Sequence, residues 1–169
     1  MVKKPFFSMV VLFVICIYGC KPIEYIQRDP FYKYGNGSNY LRFPLIKPYD
    51  AIYLDDGFGW RILLSGNILE SNMYYYNQIN DISKISVINK LIIVNSAYTQ
   101  DIEEDIGEKQ YYWFVLLPTQ KTEQGFETES DLLSYLQMQG VLSVTWDTPD
   151  QIMEEFESTL CLDWIPNCK

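Results

Sequence analysis

Seven consecutive residues, Tyr111-Tyr112-Trp113-Phe114-Val115-Leu116-Leu117, carry no charged and no amide side chain. A run this apolar, closed by Pro118 and a polar stretch to Gly125, belongs to a strand in the middle of a sheet. Residue usage points the same way. The chain holds 14 Tyr, 9 Phe and 4 Trp, and aromatic side chains fit a pleated, half-buried surface.

The flanking patterns supply further strands. Ile52 and Leu54 alternate with Ala51 and Tyr53, Asp55-Asp56-Gly57 provides a turn, and Trp60, Ile62 and Leu64 alternate with Arg61, Leu63 and Ser65. That is a hairpin signature. Asn72 to Asn77, with three consecutive tyrosines, reads as a third strand. Ile85 and Val87 then oppose Lys84 and Ser86, Asn89-Lys90 sits at a tight turn, and Leu91-Ile92-Ile93-Val94 runs on without a polar break. This second hairpin is expected to bury its return strand on both faces.

Two helices are expected at the C-terminal end. Thr128 and Asp131 resemble a capping box, Leu132, Leu133 and Leu136 share a face, and Gly140 supplies the stop. Thr148 caps the second helix, with Pro149 at its first position and Gln151 reaching back. Ile152, Met153, Phe156 and Leu160 fall in one stripe, while Asp150, Glu154, Glu155 and Glu157 lie outside it. The fold class is therefore α+β: a mainly antiparallel sheet of about five to six strands with two C-terminal helices packed on it.

The N-terminus has the parts of an export signal: Lys3 and Lys4, then an apolar run from Phe6 to Ile17 broken only by Ser8. As a helix the run rises about 20 Å, short of the roughly 30 Å of a bilayer core. Ile17-Tyr18-Gly19-Cys20 resembles a lipobox, the cleavage site of bacterial lipoproteins, with Tyr18 where Ala or Ser is usual. The resemblance implies a diacylglyceryl thioether on Cys20 and a mature chain held at a membrane surface by lipid. The competing reading is an ordinary signal peptide followed by a chance cysteine. Lys21, rather than Asp, leaves outer-membrane placement open. The expected organisation is a lipoprotein signal peptide over 1–19, a lipidated N-terminus and tether over 20–48, and a single α+β domain over 49–169. Pro22, Pro30, Pro44, Pro48 and Gly35-Asn36-Gly37-Ser38 break regular structure in the tether. Its Tyr and Phe content exceeds that of a free linker, so part of it is expected against the domain.

Without Lys3 and Lys4, 11 of the 13 basic residues face 22 acidic ones, a formal charge of −11. Phosphate affinity rests on Lys and Arg, so nucleic acid is not an expected partner. An acidic surface suits a basic protein partner or a cation, and equally serves solubility alone. Cys16 leaves with the signal and Cys20 is taken by lipid, so Cys161 and Cys168 remain as an even pair. A disulfide between them is expected in an oxidising compartment. Their spacing is not the Cys-x-x-Cys of a redox site.

The chain has no histidine. Serine and cysteine triads that rely on histidine, histidine acid–base chemistry and the usual zinc sites are thereby excluded. Gly-rich phosphate cradles are absent from the sequence, and no cofactor is expected. Two carboxylates about five to ten ångströms apart can hydrolyse a glycosidic bond, and 22 acids supply many pairs. Asp101, Glu103, Glu104, Asp105 and Glu108 offer calcium-type oxygens, with Asp101, Glu103 and Asp105 the candidate ligands. The stretch departs from an EF-hand loop, with Ile106 at the glycine position and Tyr112 at the bidentate glutamate. An acidic loop that keeps a sheet edge from pairing is the simpler reading. Tyr74-Tyr75-Tyr76 and Tyr111 to Phe114 read either as a binding platform or as core.

The block from Ile82 to Gly140, about a third of the chain, also resembles small bacterial lipoproteins of uncharacterised function. The features are Val87-Ile-Asn-Lys-Leu-Ile-Ile-Val94, Tyr111 to Leu117 and Gly125-Phe-Glu-Thr-Glu-Ser-Asp-Leu-Leu133. The resemblance implies fold and address and carries no activity. The functional expectation is a lipid-anchored extracytoplasmic protein that binds a protein partner without catalysis, as an inhibitor, an immunity-type protein or an envelope accessory. The alternative is a carboxylate-dependent glycan hydrolase or a glycan-binding lipoprotein.

Overall fold

The computed structural model describes residues 29–34, 40–64, 78–97 and 110–168. Eight strands form two antiparallel four-stranded sheets, and two helices follow. The α+β class read from the sequence holds, with the strands divided between two sheets rather than gathered in one. The first sheet has the order β1 (Leu41–Pro44), β2 (Asp50–Tyr53), β3 (Trp60–Leu63) and β4 (Gln78–Ile79). The second has β5 (Ile82–Ile88), β6 (Leu91–Ser96), β7 (Trp113–Leu117) and β8 (Thr122–Phe126). Helix α1 is Glu129–Met138 and α2 is Pro149–Thr159.

Strand alternation sorts the side chains into layers. In the first sheet Phe43, Ala51, Ile62 and Ile79 align across all four strands, and each is fully buried. Facing them from the second sheet are Ile85, Ile92, Val94, Phe114 and Leu116, which join the same cluster. The intervening residues Ile93, Val115 and Leu117 point the other way, under Leu132 and Leu136 of α1. β6 and β7 are thus covered on both faces, as their unbroken apolar runs require. Asn89 and Lys90 both have positive φ at the β5–β6 turn, the twist a two-residue hairpin demands.

Three details depart from the sequence reading. The polar stretch after Pro118 is not a loop; Thr122–Phe126 forms β8, an edge strand whose inward positions are Glu123 and Gly125. Polar residues are tolerated there because Glu123 accepts the Tyr49 hydroxyl at 2.5 Å, and the Tyr111 ring lies against Gly125. A Cβ on Gly125 would stand 2.8 Å from Tyr111 Cγ. Leu133 does not share the buried face of Leu132 and Leu136 and is 49% exposed. Leu160 leaves the buried stripe of α2 because it is the left-handed cap of that helix, with φ 54. The strand expected over Asn72–Asn77 lies outside the described residues.

Part of the expected tether belongs to the fold. Asp29 caps a short 3-10 turn, Pro30–Tyr32, and Leu41–Pro44 is the edge strand β1. Proline can occupy the end of β1 because an edge strand leaves its outer side unpaired. The turn into β2 contains a cis Lys47–Pro48 peptide.

Candidate functional site

Charge is distributed unevenly along the chain. Residues 110–168 hold ten acidic residues and only one basic residue, Lys121. Among the described residues the helix richest in acids is α2, with Asp150, Glu154, Glu155 and Glu157. Its N-terminus carries a full capping box: the Gln151 amide N–H donates to Thr148 Oγ1 at 3.3 Å, and the Thr148 amide N–H donates to Gln151 Oε1 at 2.9 Å. Pro149 occupies the first turn, where no amide proton is needed. Burial of Ile152, Met153 and Phe156 against β1 and β5 turns Asp150, Glu154, Glu155 and Glu157 outward.

Distant side chains fasten this helix. The Trp60 indole N–H donates to Asp150 at 2.7 Å, and the Tyr34 hydroxyl donates to Glu157 at 2.9 Å. The bond to the Glu157 carboxylate holds the Tyr34 phenol above its ordinary pKa, since a phenolate could not donate it. After α2, Cys161 and Cys168 are joined by a disulfide, with Cα atoms 5.4 Å apart. The ring they close buries Leu162 and Ile165 in the inter-sheet core. Its Trp164 indole donates to the Pro44 carbonyl at 3.0 Å. The ring therefore clamps the C-terminus onto β1.

Salt bridges lie elsewhere. Arg42 pairs with Asp50 at 2.6 Å, Lys47 with Asp29 at 2.9 Å, and Arg61 with Asp56 at 2.5 Å. The Lys47 and Arg61 bonds hold the carboxyls of Asp29 and Asp56 below the usual range, and Asp29 raises Lys47 in return. Among the described residues no cation pairs with the acids of α2. Comparison with protein-family models, with curated proteins and with solved structures found no match. The site is therefore read from its own geometry.

Of the residues singled out by sequence, Cys161 and Cys168 are together and bonded. Cys20, the candidate ligands Asp101, Glu103 and Asp105, and Tyr74-Tyr75-Tyr76 lie outside the described residues. Among the described residues no cluster of three acids or cysteines could hold a metal. No described helix is long and apolar enough to cross a membrane. The run from Tyr111 to Phe114 is mostly core: Tyr111 and Phe114 are buried, while Tyr112 and Trp113 are half-buried. Apart from Glu123 and the half-buried Asp50, the described carboxylates are exposed. Sequence reasoning missed the Tyr49–Glu123 bond and the Trp60 and Tyr34 ties to α2. No local signal marks them, because the partners are 74, 90 and 123 residues apart.

Proposed function

We propose that this is a lipid-anchored extracytoplasmic protein that works without catalysis, by presenting the acidic surface of α2 to a basic protein partner. The observation that carries the reading is the ten-to-one excess of acids in residues 110–168, four of them on α2, a helix held by Trp60, Tyr34 and the disulfide ring behind it and lacking a pairing cation among the described residues. Like charges left unpaired on a rigid face create a field that steers an oppositely charged partner. The Cys161–Cys168 bond supports the compartment, since such bonds persist where thiols are oxidised. The Lys3–Lys4 start, the apolar run and the lipobox-like Ile17-Tyr18-Gly19-Cys20 support the anchor. Such a surface would serve an inhibitor, an immunity-type protein or an envelope accessory alike.

The test is retention of envelope proteins by the immobilised chain at physiological salt, beside the variant Glu154→Lys/Glu155→Lys. Both residues are exposed, so the variant keeps the fold. A basic protein held by the wild type and lost from the variant is the expected result. The same proteins on both, or none on the wild type, would contradict the reading.

A further inference from the structure

Residues 29–34 are fastened to the domain along their length. Tyr32 is only 8% exposed and belongs to the inter-sheet core, and its hydroxyl accepts the Lys47 amide N–H at 3.3 Å. Lys47 Nζ binds Asp29 at 2.9 Å. Arg42 of β1 donates to the Phe31 carbonyl at 3.0 Å and lies 5.1 Å above the Phe31 ring. At the far end Tyr34 meets Glu157 of α2 through its hydroxyl and Phe156 through its ring, with centroids 5.9 Å apart.

We propose that Asp29–Tyr34 is a strap that shortens the tether and turns the β1–α2 edge of the domain toward the membrane. The inference rests on the lipidated Cys20 of the preceding section. With the strap docked, nine residue steps separate Cys20 from the domain, a reach of at most about 30 Å. If the strap were free, the first fixed residue would be Leu41, and the reach would rise to about 70 Å. Docking thus more than halves the volume-defining reach of the anchor. Glu157, which holds the strap, sits on the acidic helix, so that surface is kept close to the bilayer. Its partner is then a basic protein at the membrane surface rather than one met far from it.

Two insertions separate a docked strap from a free one. The chain starting at Cys20 is coupled through that thiol to a maleimide lipid in a supported bilayer, and neutron reflectometry reads the height of the domain. Coupling spares Cys161 and Cys168, which are bonded to each other. Twenty Gly/Ser residues are inserted either after Arg28, before the strap, or after Gly37, behind it. A flexible chain spans about 5–6 Å times the square root of its length, so the first insertion should raise the domain by about 13 Å. The second should leave the height unchanged, because the strap still holds. An equal rise in both would overturn the strap. Unchanged thermal melting verifies that each insertion leaves the domain folded. Because the coupling is chemical, the result stands apart from the native lipid, which palmitate incorporation into Cys20 tests in cells.

Discussion

Helices α1 and α2 are 10 and 11 residues long and both are capped by threonine, yet they are held in different ways. α1 lies on the outer face of the second sheet through apolar contact, with Leu132 and Leu136 over Val115, Leu117 and Phe126. It ends at Gly140, where the Val141 amide N–H returns to the Leu136 carbonyl at 2.9 Å. Met138 at its end is 77% exposed. α2 adds polar ties to its buried stripe, from Trp60 and Tyr34, and the disulfide ring follows directly behind it. The difference teaches that burial alone suffices to cover a sheet, whereas α2 has its orientation fixed as well. On the function proposed above, a fixed orientation would keep the four carboxylates of α2 on one face, where their fields add.

The comparison breaks if the two helices respond alike to truncation. Phe156→Ala removes a fully buried ring from the inter-sheet core and should cost about 3–5 kcal/mol in denaturant unfolding. Leu136→Ala, beneath α1, should fall toward the low end of roughly 2–5 kcal/mol. A larger loss at Leu136 would mean that α1, not α2, is the more tightly integrated helix. Next in size is the ring behind α2. Cys161→Ser with Cys168→Ser should lower stability by about 2.5 kcal/mol, from the chain entropy of an eight-residue loop. Thermal unfolding with and without reductant should give the same loss in the wild type and none in the variant.

Gly125→Ala probes the sheet between the helices. The new methyl meets the Tyr111 ring, so a loss of about 1–3 kcal/mol is expected, with an altered near-ultraviolet aromatic signal. No loss would show that Tyr111 shifts freely. The smallest effect is that of acid on the exposed pairs. Asp29 and Asp56 lie below the ordinary value of 3.8, so their folded state binds protons less readily than the unfolded chain. Their contribution is present at neutral pH, above the unfolded value, and is lost as pH falls through the lowered folded values. Carboxyl NMR should find Asp56 titrating below 3.8 and returning toward it in Arg61→Gln. An unchanged titration would remove Arg61 as the cause.

The sequence was most legible where one residue's environment is decided locally. The seven-residue run at Tyr111, the Asn89-Lys90 turn, both threonine caps and the terminal cysteine pair each carry their reason within a few residues. It was least legible where distant partners supply the reason. Thr122-Glu123-Gln124-Gly125 looks like loop until Tyr49 and Tyr111 are known to meet it. Pairing one set of strands as two sheets is likewise invisible to alternation, which sets the face of a side chain but not its neighbour strand. The acidic stripe of α2 could be read from periodicity. Its fastening by Trp60 and Tyr34 could not, nor could the docking of Asp29–Tyr34, although the aromatic content of that stretch pointed to contact.

The anchor is the claim on which the reading turns, and lipid attachment measures it most directly. Cells expressing the chain are grown with radioactive palmitate, and the protein is isolated beside its Cys20→Ala variant. Label in the wild type and none in the variant is the expected result. Label absent from both, or equal in both, would contradict the lipid anchor.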